Sequence, residues 1–495
     1  MELNNTALAR IADPVSVPGY DRSTIAAGII HFGVGGFHRA HQAMYLDALM
    51  NQGKALDWGI RGMGVMPSDA RMRDALAASD GLYTLVVKNA DGTRDVRVIG
   101  SIIDYVYAPD DTAAAIEALA DPAIRIVSLT VTEGGYNVHP VTGEFDLENP
   151  AIAADLANPA SPATTFGLVS AGLRLRRERG IAPFTIMSCD NIQGNGEVAH
   201  KMFVAFASAL DAGFAAWVEA NVSFPNSMVD RITPVTTDAD RSDILDSYGI
   251  DDPWPVVCED FTQWVLEDKF VSGRPPYEDA GVQLVEDVIP YELMKLRLLN
   301  ATHQGLCYFG YLAGYRAVHE VARNPLFANF LLRYMEQEAT PTLAPLPGVD
   351  LEAYKHKLIE RYSNQYVADT VARLCAESSD RIPKWLIPVV RENLAAGRPV
   401  VLSAAIVASW ARYAEGMDEQ GNEITVVDRL AGQLQAVAAS NLKNPHAFIE
   451  QRELFGDIVD DESFAAPYRA ALASLHEHGA LATLEAIMAG DLISR

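Results

Sequence analysis

An apolar segment near the middle of the chain, residues 291–311, carries four side chains suited to acid–base chemistry or to ligand binding. In the stretch YELMKLRLLNATHQGLCYFGY these are Glu292, Lys295, Asn300 and His303. The remaining residues are mostly apolar, which predicts a buried helix. Burying polar groups without partners costs about 1–3 kcal/mol each on mutational scales. We therefore expect a ligand or a facing part of the protein to satisfy them.

α-Helical geometry places these polar groups on one arc. At about 100° per residue, Glu292, His303 and Asn300 lie about 60°, about 80° and about 140° from Lys295. Leucines share this arc, so the polar groups stand among apolar neighbours and do not form a solvated stripe. Two interpretations follow, a structural network that joins two domains or a catalytic site.

The residue types of this segment suit the dehydrogenation of an alcohol. A lysine whose pKa is lowered by burial can accept the hydroxyl proton. Amide N–H groups can stabilise the developing alkoxide. Asn300 is one such donor, and Asn191, at the carboxyl end of the strand PFTIMSC, is a second. Since Glu292 should by itself raise the pKa of Lys295, we interpret Glu292 as a proton relay.

A glycine-rich turn follows the first predicted strand. The segment HFGVGGFHRAH contains Gly33, Gly35 and Gly36, and such glycines let the backbone turn tightly and approach a pyrophosphate. The usual G-x-G-x-x-G spacing puts glycine or alanine at position 38, where this chain has His38. The turn predicts a dinucleotide site, with a tight loop as the alternative.

The acidic residue that would bind the ribose hydroxyls is expected at the end of the second strand. Asp69, in GMGVMPSDAR, has this place, although it lies farther from Gly33 than the usual spacing of about 20 residues. A carboxylate there would repel a 2′-phosphate and favour NAD over NADP. The alternative is an aspartate that caps the next helix.

The order of predicted elements indicates an α/β fold with two domains. The predicted elements are a strand, tight turn and helix at 26–53, strands at 58–66 and 183–191, a strand that ends in a loop at 124–136, a hairpin at 82–102 and a helix at 164–180. They predict a doubly wound parallel sheet in residues 1–285. Strand signals fade after this, so residues 286–495 are predicted to be mainly α-helical. The predicted helices of the second domain are 291–315, 325–338, 351–377, 386–396, 402–414, 425–440 and 463–489.

Composition limits the class of protein. The formal net charge is −26, from 65 acidic and 39 basic residues, which disfavours nucleic acid and membrane partners. The four cysteines are scattered and form no CxxC pair, and the N-terminus has no signal-peptide pattern, so we expect a cytoplasmic protein. Closely spaced histidines occur without a cysteine cluster, so no metal site is expected.

Several long stretches carry a resemblance to a known family. They are PGYDRSTIAAGIIHFGVGGFHRAHQAMYLD, TVTEGGY, SCDNIQGNG, FPNSMVDRITP, QWVLEDKF, YELMKLRLLNATH and ADTVARLCAESSDRIPK. The chain resembles the polyol-specific long-chain dehydrogenases, most closely their mannitol 2-dehydrogenase branch. The resemblance implies a Rossmann-type N-terminal domain, a mainly helical C-terminal domain, an active site between them, metal-free catalysis and a monomer.

The resemblance also implies roles for individual residues. It makes Lys295 the general base and Asn191 and Asn300 the alkoxide-stabilising pair. His303 binds and orients the reacting oxygen, and Glu292 gates proton release. The residues implied to contact or border the polyol are Asp230, Arg373 and Glu133. Those implied to bind the cofactor, NAD, are Phe32, Gly33, Gly35, Gly36 and Asp69, with Ser68 in place of a second acid before Asp69.

The sequence therefore predicts an NAD-dependent enzyme that interconverts a polyol and a ketose, D-mannitol and D-fructose at C2. One alternative is another substrate, D-arabinitol, D-sorbitol or a uronate such as fructuronate, whose carboxylate would need a cation from Arg373, Arg381 or Lys384. A zinc alcohol dehydrogenase and a non-catalytic nucleotide sensor are further alternatives.

Overall fold

The structure, a computed structural model, describes residues 1–139 and 142–492. Contacts divide the chain into two compact units, Met1–Ile289 and Pro290–Arg495.

The first unit is built around a parallel sheet. Its strands are β1 Ala27–Phe32, β2 Gly59–Gly64, β3 Tyr83–Lys88, β4 Arg94–Ile99, β5 Ile102–Tyr107, β6 Ile126–Leu129, β7 Thr185–Ser188, β8 Ser227–Asp230, β9 Val256–Glu259, β10 Gln263–Glu267 and β11 Gln283–Val285. Five of them form the central sheet in the order β5-β2-β1-β6-β7, and every pairing within it is parallel. This order, with crossovers on both sides of β1, is the doubly wound Rossmann-type arrangement predicted from the sequence.

The core of this unit lies on both faces of the central sheet. Ile29 and Ile60 belong to one buried cluster, whereas Ile30, Phe32 and Val127 belong to another. Successive side chains of a strand point to opposite faces, so near-continuous apolar strands such as β1 supply both clusters. The central strands are thereby held between the two apolar clusters, one on each face of the sheet.

Helices and two smaller sheets complete the first unit. The helices are α1 Gly36–Ala40, α2 Gln42–Asn51, α3 Ala70–Ala78, α4 Thr112–Ala120, α5 Pro150–Ala157, α6 Thr165–Arg179, α7 Asn195–Leu210, α8 Ala212–Asn221 and α9 Asp238–Tyr248. The small sheets have the orders β4-β3-β9 and β11-β10-β8. The predicted hairpin is confirmed, because β3 and β4 pair antiparallel on either side of Asp91 and Gly92.

The second unit is helical, and no strand occurs in its described part, residues 290–492. Its helices are α10 Ile289–Met294, α11 Ala301–Leu312, α12 Val318–Ala322, α13 Pro325–Tyr334, α14 Leu351–Tyr362, α15 Val371–Cys375, α16 Ser378–Trp385, α17 Ile387–Ala395, α18 Val401–Tyr413, α19 Ala431–Ala438, α20 Arg452–Phe455 and α21 Glu462–Ala489. Helix α11 packs against α15 and α18, and α18 packs along α21. None of the described helices is long and apolar enough to cross a membrane.

Some helix boundaries differ from those predicted. The segment 351–377 is not one helix, because α14 ends at Tyr362 and α15 begins at Val371. The backbone between them turns at Asn364, whose side-chain oxygen accepts from Tyr366 N, and at Ala368, which has φ of 55°. The predicted helix 463–489 is confirmed but kinked at Gly479, where φ is 81°.

The polar segment of the second unit is not a continuous α-helix. Residues Lys295–Asn300 form a π-helix between α10 and α11, in which i→i+5 hydrogen bonds widen the turn. The angular positions calculated for Asn300 and His303 from α-helical geometry are therefore wrong. A second π-helix, Met335–Ala339, follows α13.

Candidate functional site

Three of the predicted site residues of the first unit stand at the carboxyl ends of strands. Glu133 opens a 3₁₀ turn after β6, and Asn191 follows β7. Asp230 is the last residue of β8 and is buried. In open α/β sheets, ligands bind at the carboxyl edge. In the central sheet this edge carries Glu133 and Asn191, whereas Asp230 ends a strand of the small sheet β11-β10-β8.

One carboxylate, that of Asp190, links the loops that carry Glu133 and Asn191. Its Oδ1 accepts from Thr132 N at 2.8 Å, and its Oδ2 accepts from Val131 N at 3.0 Å and from the Tyr136 hydroxyl at 2.8 Å. Burial raises the pKa of Asp190, although these donors oppose the shift. Thr132 has φ of 64°, a conformation that costs on the order of 1–3 kcal/mol outside glycine. Asp190 therefore stabilises a strained loop.

The same network reaches the start of β8. Asn195 Nδ2 donates to the Asp190 carbonyl at 2.9 Å and to the Ser227 carbonyl at 2.8 Å, and Asn195 Oδ1 accepts from Ser227 N at 2.9 Å. The strand that ends at Asp230 is thus hydrogen-bonded to the loop of Asn191. Sequence reasoning did not single out Asp190 and Asn195, although both lie within the stretch SCDNIQGNG.

The glycine turn depends on a close approach of two backbones. A Cβ at Gly33 would lie 2.0 Å from the Thr130 carbonyl oxygen, and Gly33 has φ of 87°, so the position requires glycine. Gly35 N donates to Gly33 O at 2.6 Å, which tightens the turn. A Cβ at Gly35 would meet nothing closer than Gly33 O at 3.8 Å. The turn therefore leaves open space beside Gly35, in which a ligand can lie close to the protein backbone. The side chain of Phe32, in contrast, packs in the core.

His38 replaces the expected third glycine by stacking on a second histidine. The rings of His31 and His38 are 3.4 Å apart and inclined by 13°, and both are buried. Burial lowers the pKa of His31 to about 3 and that of His38 well below its usual value, so both rings are neutral near pH 7. In the usual fingerprint, the third glycine lets the helix pack closely on the strand. Here α1 and β1 contact each other through the uncharged rings of His38 and His31.

The Asp69 side chain stabilises the turn at the end of β2 and does not cap α3. Its Oδ2 accepts from Val65 N and Met66 N, both at 2.9 Å, and its side chain makes no cap hydrogen bond to α3. A Cβ at Gly64 would lie 2.5 Å from the Tyr105 hydroxyl and 2.7 Å from Asp69 Cβ. Asp69 therefore caps the short 3₁₀ turn Pro67–Asp69 through Met66 N and not helix α3 itself. Its side chain lies close to Tyr105 at the ends of β2 and β5.

The second unit positions the polar set predicted from the sequence on one helical segment. Glu292 lies in α10, Lys295 and Asn300 begin and end the π-helix, and His303 lies in α11. All four are buried, with 4–8% of their surface exposed. The His303 ring contacts the Tyr362 ring at 4.8 Å. π-Helical turns are frequent at functional sites, which agrees with a functional role for this segment.

Arg373 is held by an acidic neighbour. Asp369 accepts from Arg373 Nε at 2.6 Å and from Nη2 at 2.5 Å, and these bonds raise the pKa of Arg373. Arg381 Nη1 donates to the Leu374 carbonyl at 3.0 Å. The Arg373 side chain is therefore oriented by a bidentate ion pair, a geometry that fixes the guanidinium plane.

Within residues 1–139 and 142–492, no group of three or more histidine, cysteine, aspartate or glutamate side chains is arranged to hold a metal ion.

The doubly wound sheet, the glycine turn at its centre and the buried lysine–amide–imidazole segment define a Rossmann-type oxidoreductase. The profile of the mannitol dehydrogenase Rossmann domain matches residues 27–279, and that of the mannitol dehydrogenase C-terminal domain matches residues 287–476. The chain belongs to the mannitol dehydrogenase family.

Relatives match over nearly the whole chain. A mannitol 2-dehydrogenase of Phaeosphaeria nodorum is 44% identical, with 98% of this chain and 85% of that protein covered. Mannitol dehydrogenase DSF1 of Saccharomyces cerevisiae is 44% identical, with 98% and 97% covered. Among solved structures, Pseudomonas fluorescens mannitol 2-dehydrogenase in a ternary complex with NAD and D-mannitol matches with a TM-score of 0.88 and 46% identity, covering 99% of this chain and 100% of that chain. A substrate-free D-sorbitol dehydrogenase matches with a TM-score of 0.89 and 39% identity, covering 98% and 100%.

Proposed function

We propose that the protein is an NAD-dependent dehydrogenase that interconverts D-mannitol and D-fructose at C2. The observation that carries the proposal is the buried segment with Lys295, Asn300 and His303. It lies in a chain that is 46% identical to a mannitol 2-dehydrogenase solved with NAD and D-mannitol. We also infer a cytoplasmic monomer, from the cysteine pattern and the family resemblance.

The cofactor is assigned to the glycine turn and to the end of β2. Gly33, Gly35 and Gly36 let the backbone approach the pyrophosphate, and the open space beside Gly35 fits such a ligand. Asp69, fixed by two backbone N–H groups, binds the ribose hydroxyls and disfavours a 2′-phosphate. Phe32 contributes through its backbone, since its side chain is in the core. NAD, when bound, accepts the hydride from C2 of the polyol.

The chain's own residues handle the proton and the oxygen. Lys295 accepts the hydroxyl proton, while the side-chain amides of Asn191 and Asn300 donate to the oxygen as negative charge develops on it. His303 binds and orients the same oxygen. Glu292, buried in the same segment, relays the proton away from Lys295.

The remaining polyol hydroxyls are assigned to Asp230, Arg373 and Glu133. The ion pair with Asp369 already balances the charge of Arg373. A substrate carboxylate would have to compete with Asp369 for this guanidinium, which favours a neutral polyol over a uronate. D-sorbitol is the second candidate, because a D-sorbitol dehydrogenase matches the fold equally closely.

Steady-state turnover tests the substrate and the cofactor together. D-mannitol, D-sorbitol and D-arabinitol are each assayed with NAD and with NADP, and fructuronate is assayed in the reductive direction. The highest kcat/KM is expected for D-mannitol with NAD. A higher value for another polyol or for fructuronate would replace the proposed substrate, and a preference for NADP would contradict the role of Asp69.

The base assignment is tested by Lys295→Ala. Removing the amine should lower kcat on D-mannitol at least 100-fold, within the range of general base catalysis, while NADH still binds with an affinity near that of the wild type. Lys443→Ala, which removes an exposed lysine of the same unit, is the matched control and should turn over normally. Near-normal turnover of Lys295→Ala at neutral pH would show that another group is the base.

A further inference from the structure

A buried chain of polar side chains connects the middle of β6 to the glycine turn. His31 Nδ1 lies 2.7 Å from Ser128 Oγ, and His31 Nε2 lies 2.9 Å from Thr130 Oγ1. Thr130 Oγ1 in turn donates to the Gly33 carbonyl at 2.7 Å. His31 and Ser128 are almost completely buried. None of these side chains has a role in the proposed catalysis.

The hydrogen-bond directions follow from the Thr130 hydroxyl. Because its single proton goes to Gly33 O, Thr130 Oγ1 accepts from His31 Nε2–H. His31 Nδ1 is then the acceptor for the Ser128 hydroxyl. This order requires a neutral imidazole, and burial lowers the pKa of His31 to about 3, so the ring stays neutral throughout the physiological range. The ring of His38 stacks on one face of the His31 ring at 3.4 Å.

Three donors converge on the carbonyl of Gly33. They are the Thr130 hydroxyl at 2.7 Å, Gly35 N at 2.6 Å and, more distantly, His31 Nε2 at 3.3 Å. Thr130 lies in the same strand exit whose next two N–H groups bind Asp190. The orientation of the peptide after Gly33 is therefore fixed by side chains from two strands.

We propose that Thr130 and His31 are positioning residues for the dinucleotide, which hold the Gly33 carbonyl and so fix the turn before the cofactor arrives. This inference rests on the proposed function, in which the turn binds NAD. A turn that is already ordered loses less conformational entropy when the ligand binds. Releasing the carbonyl should consequently weaken the affinity for the cofactor more than it slows the chemical step.

Paired substitutions at Thr130 test the proposal on the full-length protein. Thr130→Val keeps nearly the same shape and removes the hydroxyl, whereas Thr130→Ser keeps the hydroxyl. The Kd for NADH is measured by fluorescence titration, and thermal melting confirms that each variant is folded. Thr130→Val should bind NADH about five- to tenfold more weakly, the effect of one hydrogen bond, with KM for NAD rising more than kcat falls. Thr130→Ser should restore most of the affinity.

His31→Phe provides a second, independent variant. It retains an aromatic ring to stack on His38 but lacks both nitrogens, so it should weaken NADH binding in the same way as Thr130→Val. The inference is overturned if Thr130→Val binds NADH as the wild type does, or if Thr130→Ser loses as much affinity as Thr130→Val.

Gly35→Ala separates failure of this inference from failure of the proposed cofactor site. The added methyl has room in the fold, since its nearest neighbour is Gly33 O at 3.8 Å, but it occupies the space assigned to the cofactor. If Gly35→Ala weakens NADH binding and Thr130→Val does not, only the positioning role is wrong. If neither variant changes the Kd, the glycine turn is not the cofactor site and both proposals fall.

Discussion

Asp190 shows how much can depend on one side chain beside the assigned groups. Its carboxylate accepts two backbone N–H groups of the β6 exit and the hydroxyl of Tyr136. The residue after it is Asn191, assigned to the alkoxide. Any movement of Asp190 therefore shifts a proposed catalytic amide and the loop of Glu133 together.

Asp190→Asn should damage both stability and turnover. An asparagine keeps one acceptor oxygen but turns an NH₂ group toward a backbone N–H, which leaves buried donors unsatisfied at a cost of about 1–3 kcal/mol. We expect a lower Tm by calorimetry and at least a tenfold lower kcat on D-mannitol. Tyr136→Phe removes the hydroxyl that contacts Asp190 and Ser188 but keeps both backbone N–H groups on the carboxylate, so it should have the smaller effect on both. Wild-type Tm and kcat for Asp190→Asn would refute the role of this carboxylate.

Sequence reasoning reached the proposed catalytic groups but not the residues that position them. Lys295 and Asn300 are conspicuous because they are polar residues in an apolar run. Asp190 and His31 are not conspicuous, because the groups that their side chains bind on the neighbouring strand lie far away in the sequence. The separations are 54 to 59 residues for Asp190 and its partners Val131, Thr132 and Tyr136. They are 97 and 99 residues for His31 and its partners Ser128 and Thr130. Hydrogen bonds between strand ends depend on sheet order, which the local pattern of one strand does not encode.

At the scale of elements, the start of α18 depends on a buried glutamate from a π-helix. Glu338, in Met335–Ala339, accepts from Leu402 N at 2.7 Å, from Ser403 N at 2.8 Å and from the Ser403 hydroxyl at 2.5 Å. These N–H groups have no partner within the helix. Burial nevertheless raises the pKa of Glu338 from 4.5 to about 7, because desolvation outweighs the three donors.

The raised pKa predicts a stability that falls as pH rises. A group with a higher pKa in the folded state stabilises the fold fully below its unfolded pKa, here about 4.5, and this contribution is lost as pH rises through about 7. Glu338→Gln removes the titration. The wild type should therefore lose stability relative to Glu338→Gln between pH 5 and pH 8, by at most about 3 kcal/mol in the free energy of unfolding. The loss is measured as a decrease in the Tm of the wild type minus that of Glu338→Gln.

Glu336→Gln is the matched control for this titration. Glu336 lies in the same π-helix but is exposed, so its replacement should leave the pH dependence of Tm unchanged. A constant difference between wild type and Glu338→Gln across this pH range would show that Glu338 keeps an ordinary pKa.

Element types followed from the sequence more readily than element geometry. The alternation of apolar strands and amphipathic helices predicted the doubly wound sheet, and the helical second unit was likewise predicted. The π-helix Lys295–Asn300 was not, since the same leucine-rich run fits an α-helix equally well and only tertiary packing selects the wider turn. The gap between α14 and α15 was missed because the turn at Asn364 interrupts an otherwise helical pattern.

At the scale of the whole molecule, the acidic surface is the dominant property. A net charge of −26 in 495 residues creates self-repulsion that opposes the compact state. Among the described residues, ion pairs such as Arg179–Glu117, Lys201–Glu144 and Arg452–Asp460 are exposed on both sides, and such pairs contribute little to stability. Repulsion between unpaired carboxylates should therefore outweigh attraction within pairs.

Salt should consequently stabilise the protein at neutral pH. Raising KCl from about 10 mM to about 0.15 M shortens the screening length from about 30 Å to about 8 Å, which weakens long-range repulsion. We expect Tm at pH 7 to increase by several degrees in differential scanning calorimetry. The same titration near pH 4.7, where the composition places the isoelectric point, is the control and should show little change. A Tm that falls with salt at pH 7 would mean that attractive pairs dominate.

The π-helix Lys295–Asn300 also makes chain length a determinant of the site. Deleting one residue between Lys295 and His303 would remove the extra residue that the wider π-helical turn accommodates, and so change how the side chains after the deletion are placed relative to those before it. Two chains that share Lys295, Asn300 and His303 but differ in the number of residues between them would therefore direct these side chains differently. When relatives or redesigned variants are compared, an insertion or deletion here should weigh more than any substitution of its leucines.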